Sequence, residues 1–142
     1  MNLKFNLGIL RRKCIVFNWI DDDREFLYEG VIDSVKNKKN CYIVTFENGN
    51  KMNISDIALA RCKIRENNDG KVIISYNPSE TKFSGFVGFS MSDTYGFPIE
   101  MTQEILIEDG YEIDMDGYEV LKRLQKEFAS GTYKNKDGWD SK

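Results

Sequence analysis

The side chains that could do chemistry form a short inventory. The chain has no histidine, so proton transfer would fall to carboxylates, lysines or tyrosines, and a cysteine nucleophile would lack its usual imidazole partner. Cys14, Cys41 and Cys62 lie in apolar, strand-like contexts with no CxxC pair, which points to packing rather than to a disulfide framework or a zinc site. The run Glu112-x-Asp114-x-Asp116-Gly117 opens like a calcium loop. Its twelfth position is Arg123, where a bidentate acid belongs, and its eighth is Glu119, where an apolar residue belongs. Asp114 as a helix cap explains the pattern more simply. No glycine-rich phosphate cradle is present. The expectation is a protein that binds rather than catalyses, with no metal and no cofactor.

Binding then turns on charge. The net charge of −3 hides a split: residues 1–76 carry 13 basic and 10 acidic side chains, and residues 77–142 carry 7 and 13. Between Lys82 and Lys122 no basic residue stands. Within that gap Glu100, Glu104, Glu108, Asp109, Glu112 and Asp116 form the candidate contact set for a protein partner with a basic surface. Affinity for phosphates comes from Lys and Arg that displace counterions. A nucleic-acid alternative therefore rests on Arg11, Arg12, Lys38 and Lys39, with Lys122, Arg123 and Lys126 as a second set. No apolar run approaches the roughly 20 residues that span a bilayer, and three unpaired cysteines suit a reducing cytoplasm. Richness in Lys, Asn and Ile suggests an AT-rich bacterial or phage genome.

The elements that must position these groups divide at a composition shift. Residues 1–78 read as a small β-barrel, with β-prone runs at 13–20, 25–35, 41–47, 51–54 and 61–65, and a further strand at 71–76 extending it. Asn48-Gly49 is a two-residue hairpin signal, Gly30 marks a bend, and Ser55 caps a single helical turn through Ala60. Five short strands in this order fit an SH3-like barrel, and the turn Phe46-Glu47-Asn48-Gly49-Asn50 resembles that of a Tudor domain. The Tudor resemblance implies an aromatic cage for a methylated cation, with Trp19, Tyr28 and Phe46 as candidate members. The alternative is that the rings fill the barrel core.

Residues 79–92 read as a linker, within a stretch from Asn77 to Gly88 that holds Pro, Ser and Gly. Residues 93–142 read as a turn, two helices and a tail. In the turn, Asp93, Tyr95, Gly96, Phe97 and Pro98 form a structural motif, with Gly96 supplying a φ its neighbours resist and Pro98 fixing the exit. Thr102 is the candidate cap of a helix over 103–109, and Asp114 that of a second over 115–129. Tyr118, Leu121, Leu124 and Phe128 recur as one apolar stripe on the latter. The fold class is α+β: a small SH3/Tudor-like barrel followed by a two-helix unit.

Phe89, Asp93-Thr94-Tyr95-Gly96-Phe97-Pro98, Thr102, Asp114, Gly117-Tyr118 and Gln125 together resemble a segment of alanyl-tRNA synthetase, covering residues 86–127. The resemblance implies a helical region that follows the aminoacylation core and helps hold the acceptor arm of tRNA. The signature motifs for ATP and amino acid lie upstream in that family, where this chain reads as a barrel, and the family's editing domain uses histidines, which this chain lacks. The expected function is a small phage or bacterial accessory or inhibitor protein that binds a protein partner through its acidic helical half. The alternatives are a tRNA- or other nucleic-acid-binding accessory protein and a structural subunit of a larger complex.

Overall fold

The computed structural model describes residues 3–21 and 24–129. Alternating apolar residues build the strands. In β1 (Cys14–Asp21) Ile15, Phe17 and Trp19 turn inward, and in β3 (Cys41–Phe46) Tyr42, Val44 and Phe46 do the same. Between them runs β2 (Arg24–Lys38), whose first half pairs with β1 and whose second half pairs with β3. The hand-over is a register shift between Ile32 and Ser34, two residues beyond the bend expected at Gly30. β4 (Lys51–Ser55) follows the Asn48-Gly49 hairpin, and Ser55 caps α1 (Asp56–Leu59) by accepting from the Ala58 amide at 3.1 Å.

The sheet is completed by β5 (Lys63–Glu66) and β6 (Val72–Tyr76), giving the order β4-β3-β2-β1-β6-β5. All neighbours are antiparallel except β1 and β6, which run parallel with Ile15 opposite Val72. The α+β class stands, with a correction to the expected barrel. The sheet has six strands and is open, because β6 sits beside β1 and carries β5 to the outer edge, where an SH3/Tudor-like closure would need β5 to return.

The helices also differ from the expected pair. Three follow the sheet: α2 (Gly85–Tyr95), α3 (Ile99–Glu108) and α4 (Met115–Ala129). Residues 79–92, expected as a linker, hold most of α2. Ser84 caps it, its hydroxyl accepting from the Phe86 amide at 2.9 Å. Every residue from Ser84 to Met91 is buried, so the helix shows no apolar stripe against a polar face, and its glycines read as a loop. The second correction concerns Thr102. It lies inside α3, which starts after Pro98, and is 2% exposed with its hydroxyl making no hydrogen bond.

One buried cluster runs from Phe5 to Leu124 and takes in the sheet, α2 and α4. The segment before β1 crosses this core. Its Phe5 amide donates to the Tyr42 hydroxyl at 2.9 Å, and the Lys4 carbonyl accepts from the Ser90 hydroxyl at 2.8 Å. On α4 the expected stripe is buried at Tyr118, Leu121 and Leu124, while Phe128 is 38% exposed. Among the described residues no helix is long and apolar enough to cross a membrane.

Candidate nucleic-acid interface

The motif Asp93-Thr94-Tyr95-Gly96-Phe97-Pro98 is the junction of α2 and α3. Asp93 and Tyr95 lie exposed in the last turn of α2. Gly96 takes a φ of 72°, its amide donates to the Ser92 carbonyl at 2.9 Å, and the Phe97 amide donates to that of Met91 at 3.3 Å. Carbonyls that a helix end leaves open are thus satisfied. The Tyr95 and Phe97 rings sit 5.9 Å apart across the turn. A β-branched residue at this φ is strained, so Gly96→Val is expected to cost roughly 1–3 kcal/mol. A thermal melt checks this, and an unchanged midpoint would remove the left-handed cap as a stabilising feature.

Asp114 anchors the next helix to the sheet. Its side chain is almost wholly buried. One carboxylate oxygen accepts from the Gly117 amide at 3.3 Å, which is the expected cap, and the other from Arg65 at 2.8 Å and the Ile64 amide at 3.4 Å. That hydrogen bond, opposed in part by burial, holds the Arg65 guanidinium above its ordinary pKa. Asp116 also lies 3.8 Å from Arg65. Two of the three acids that imitate a calcium loop, Asp114 and Asp116, are therefore turned to an arginine contributed by β5. Nothing in local spacing signals Arg65; only the pairing of strand and helix brings it there.

Glu100, Glu104 and Glu108 are exposed on α3, Asp109 closes that helix, and Glu112 pairs with Lys82 at 3.8 Å.

The candidate basic residues form two groups. Arg123 is bound to Glu127 at 2.8 Å and to Glu66, and the Lys122 ammonium lies 5.9 Å from the Tyr118 ring centre, with Lys126 exposed beyond. The other group stands beside the N-terminal segment. Arg11 and Arg12 follow the 3-10 turn at Leu7–Leu10, and Arg12 has a φ of 70°. Lys38 ends β2, Lys39 opens the two-residue turn to β3, and Asn40 closes it with a φ of 63°. A cleft of about 480 Å³ holds Lys38 and Lys39 together with Lys4, a residue no motif singled out, and with Asp56. A neighbouring cleft of about 420 Å³ holds Arg11, Asn6, Ser34 and Asn37. Asn37 and Tyr42 line both, so the two form one groove.

The expected aromatic cage is corrected. Trp19 is 6% exposed and packs 5.8 Å from Phe17 and 5.3 Å from Tyr76, and Phe46 is 2% exposed. Tyr28 lies 4.5 Å from Phe46, with its hydroxyl tied to the side chains of Asn48 and Asn50. Inward alternation on β1 and β3 sends Trp19 and Phe46 into the core, and the half-buried Tyr28 packs against it, so the three do not form an open cage.

Cys62 is buried beside Ser84, and burial pushes its thiol from the ordinary 9.0 up to about 12. The folded chain therefore keeps a proton that the unfolded chain releases. This contribution to stability is whole below pH 9 and is lost between pH 9 and about 12. A Cys62→Ala chain is expected to lose less stability than the unmodified one over that window, measured by denaturant unfolding at each pH. Equal slopes would count against the buried thiol.

An α+β scaffold with its helices joined through the Asp-Thr-Tyr-Gly-Phe-Pro turn belongs to the tRNA synthetases class II (A) family, whose model matches residues 9–141. Within that class the similarity is to alanine–tRNA ligases. That of Mycoplasmopsis agalactiae is 47% identical over 55 residues, covering 37% of this chain and 6% of the relative. That of Hyphomonas neptunium is 38% identical over 77 residues, 50% of this chain and 9% of the relative. That of Prochlorococcus marinus strain AS9601 is 32% identical over 94 residues, 64% of this chain and 11% of the relative. The chain thus spans about a tenth or less of these relatives. No solved structure matches it. The family match and these ligase relatives overturn the expected accessory or inhibitor protein acting through a basic protein partner, and they favour the tRNA-binding alternative.

Proposed function

We propose that the chain is an RNA-holding segment of the alanyl-tRNA synthetase type, with tRNA as its ligand. The observation that carries this reading is the family match over residues 9–141, which takes in the strands as well as the Asp-Thr-Tyr-Gly-Phe-Pro junction and α4. A holding role suits the buried polar groups of the helical half. Asp114 binds Arg65 and two amides, and Ser84 caps α2. These contacts fix backbone geometry, as a rigid RNA-docking scaffold requires.

The test is capture of the tagged chain from bacterial lysate, with and without RNase, followed by sequencing of bound RNA. Enrichment of tRNA that disappears with RNase is the expected result. Failure to retain tRNA, together with no binding of purified tRNA at low salt, would overturn the reading.

A further inference from the structure

The cations of this molecule sort into two populations. Lys13, Lys63, Arg65, Lys71, Lys82 and Arg123 each lie within 4 Å of a carboxylate and serve to join one element to another. Lys4, Arg11, Lys38 and Lys39 have no carboxylate partner among the described residues; Lys36, Lys51, Lys122 and Lys126 lack one too, but the first four stand together, exposed along the groove between the N-terminal segment and the outer half of β2. We propose that this groove grips the phosphate backbone of the RNA. The proposal rests on the RNA-holding reading and gives it a surface.

Geometry and charge both favour the groove. One wall is the segment carrying Lys4 and Arg11, the other is the β2–β3 hairpin, and the floor is Phe5, Leu7 and Tyr42. The N-terminal wall is fixed from below, since the Lys4 carbonyl is bound by Ser90 and the Phe5 amide by Tyr42 of β3. From Ser34 to Lys38 the strand rises about 13 Å at roughly 3.3 Å per residue. Cations therefore line a track rather than a point, as a chain of phosphates requires. Asn37 stands between the two clefts, with amide donors and an acceptor suited to a ribose hydroxyl. Asp56 is the acid within the track, and Asp33 and Glu47 lie past Arg11, where they close its far end. On α4, by contrast, Arg123 is held by Glu66 and Glu127, which leaves that helix less charge for phosphates.

The experiment is a titration of fluorescein-labelled bacterial tRNA over a range of salt, with three double variants. Lys38→Glu/Lys39→Glu changes the hairpin wall, Lys4→Glu/Arg11→Glu changes the opposite wall, and Lys122→Glu/Lys126→Glu changes α4. Each groove pair is expected to weaken binding at least about tenfold and to lower the slope of log affinity against log salt by about 2, one per phosphate contact. The α4 pair is expected to keep most of the affinity. Thermal melting of each variant confirms that it folds, and two independent walls guard against a local defect in one. If the unmodified chain binds tRNA and both groove variants bind equally well, the groove is wrong while the RNA reading stands. If the unmodified chain does not bind, the RNA reading fails and the groove falls with it.

Discussion

A Gly85→Val chain is expected to melt far below the unmodified one. Gly85 opens α2 where that helix crosses α4, and a β-carbon built there would lie 2.4 Å from the Tyr118 nitrogen and 2.6 Å from the Gly117 carbonyl carbon. Both are backbone atoms of a helix and cannot rotate aside. The helices would have to separate, loosening Phe86, Tyr118 and Leu121 from the cluster they share with the sheet. Overpacking typically costs about 1–3 kcal/mol, and a clash with backbone falls at or beyond the upper end. For a chain of this size about 3 kcal/mol corresponds to a fall in midpoint of roughly 10 °C. Gly85→Ala already introduces the clashing atom, so it is expected to produce most of the loss. A calorimetric series of Gly, Ala and Val decides the matter. An alanine variant as stable as the parent would show that the two helices do not approach this closely.

The second large loss is expected from Asp114→Ala. Removing this carboxylate strips the Gly117 and Ile64 amides of their acceptor, in a place water does not reach, and takes the partner from Arg65. Breaking a fully buried pair costs about 3–5 kcal/mol. The Arg65 side chain is 42% exposed and can recover water, so the expected loss is lower, about 2–4 kcal/mol, with the two orphaned amides contributing much of it. A double-mutant cycle with Arg65→Ala separates the parts. If the amides dominate, the coupling between the two side chains is small and Asp114→Asn recovers part of the loss, since its single carbonyl oxygen still accepts from one of the two amides while its NH2 faces the other. A coupling as large as the whole effect would mean that the ion pair, and not the backbone contacts, holds α4 to β5.

Much of this fold is legible in the order of residues. β3 alternates as Tyr42, Val44 and Phe46, and Asn48-Gly49 turns it into β4. Ser55 and Asp114 act as the caps their neighbours imply. Most of the failures depend on partners distant in sequence, and the one at Thr102 on a nearer start signal. α2 is buried all round and so carries no periodicity to detect. Thr102 resembles a cap by type, but Pro98 has already begun the helix. β6 reads as a strand, yet nothing local says that it lies parallel to β1. At the candidate interface Lys38 and Lys39 are visible as a charged turn, whereas Lys4 joins them only because the N-terminal segment is threaded under α2.

The parallel contact of β1 with β6 has a consequence for biosynthesis. β1 can pair with β2 as soon as both leave the ribosome, but its other edge has to wait for Val72. At about 5–20 residues per second that interval lasts several seconds. Throughout it Ile15, Phe17 and Trp19 lie on a strand whose free edge can recruit another nascent chain. Slowing translation between β2 and β6 would lengthen this vulnerable state, so the yield of soluble protein should depend on synthesis rate even when the finished chain is equally stable.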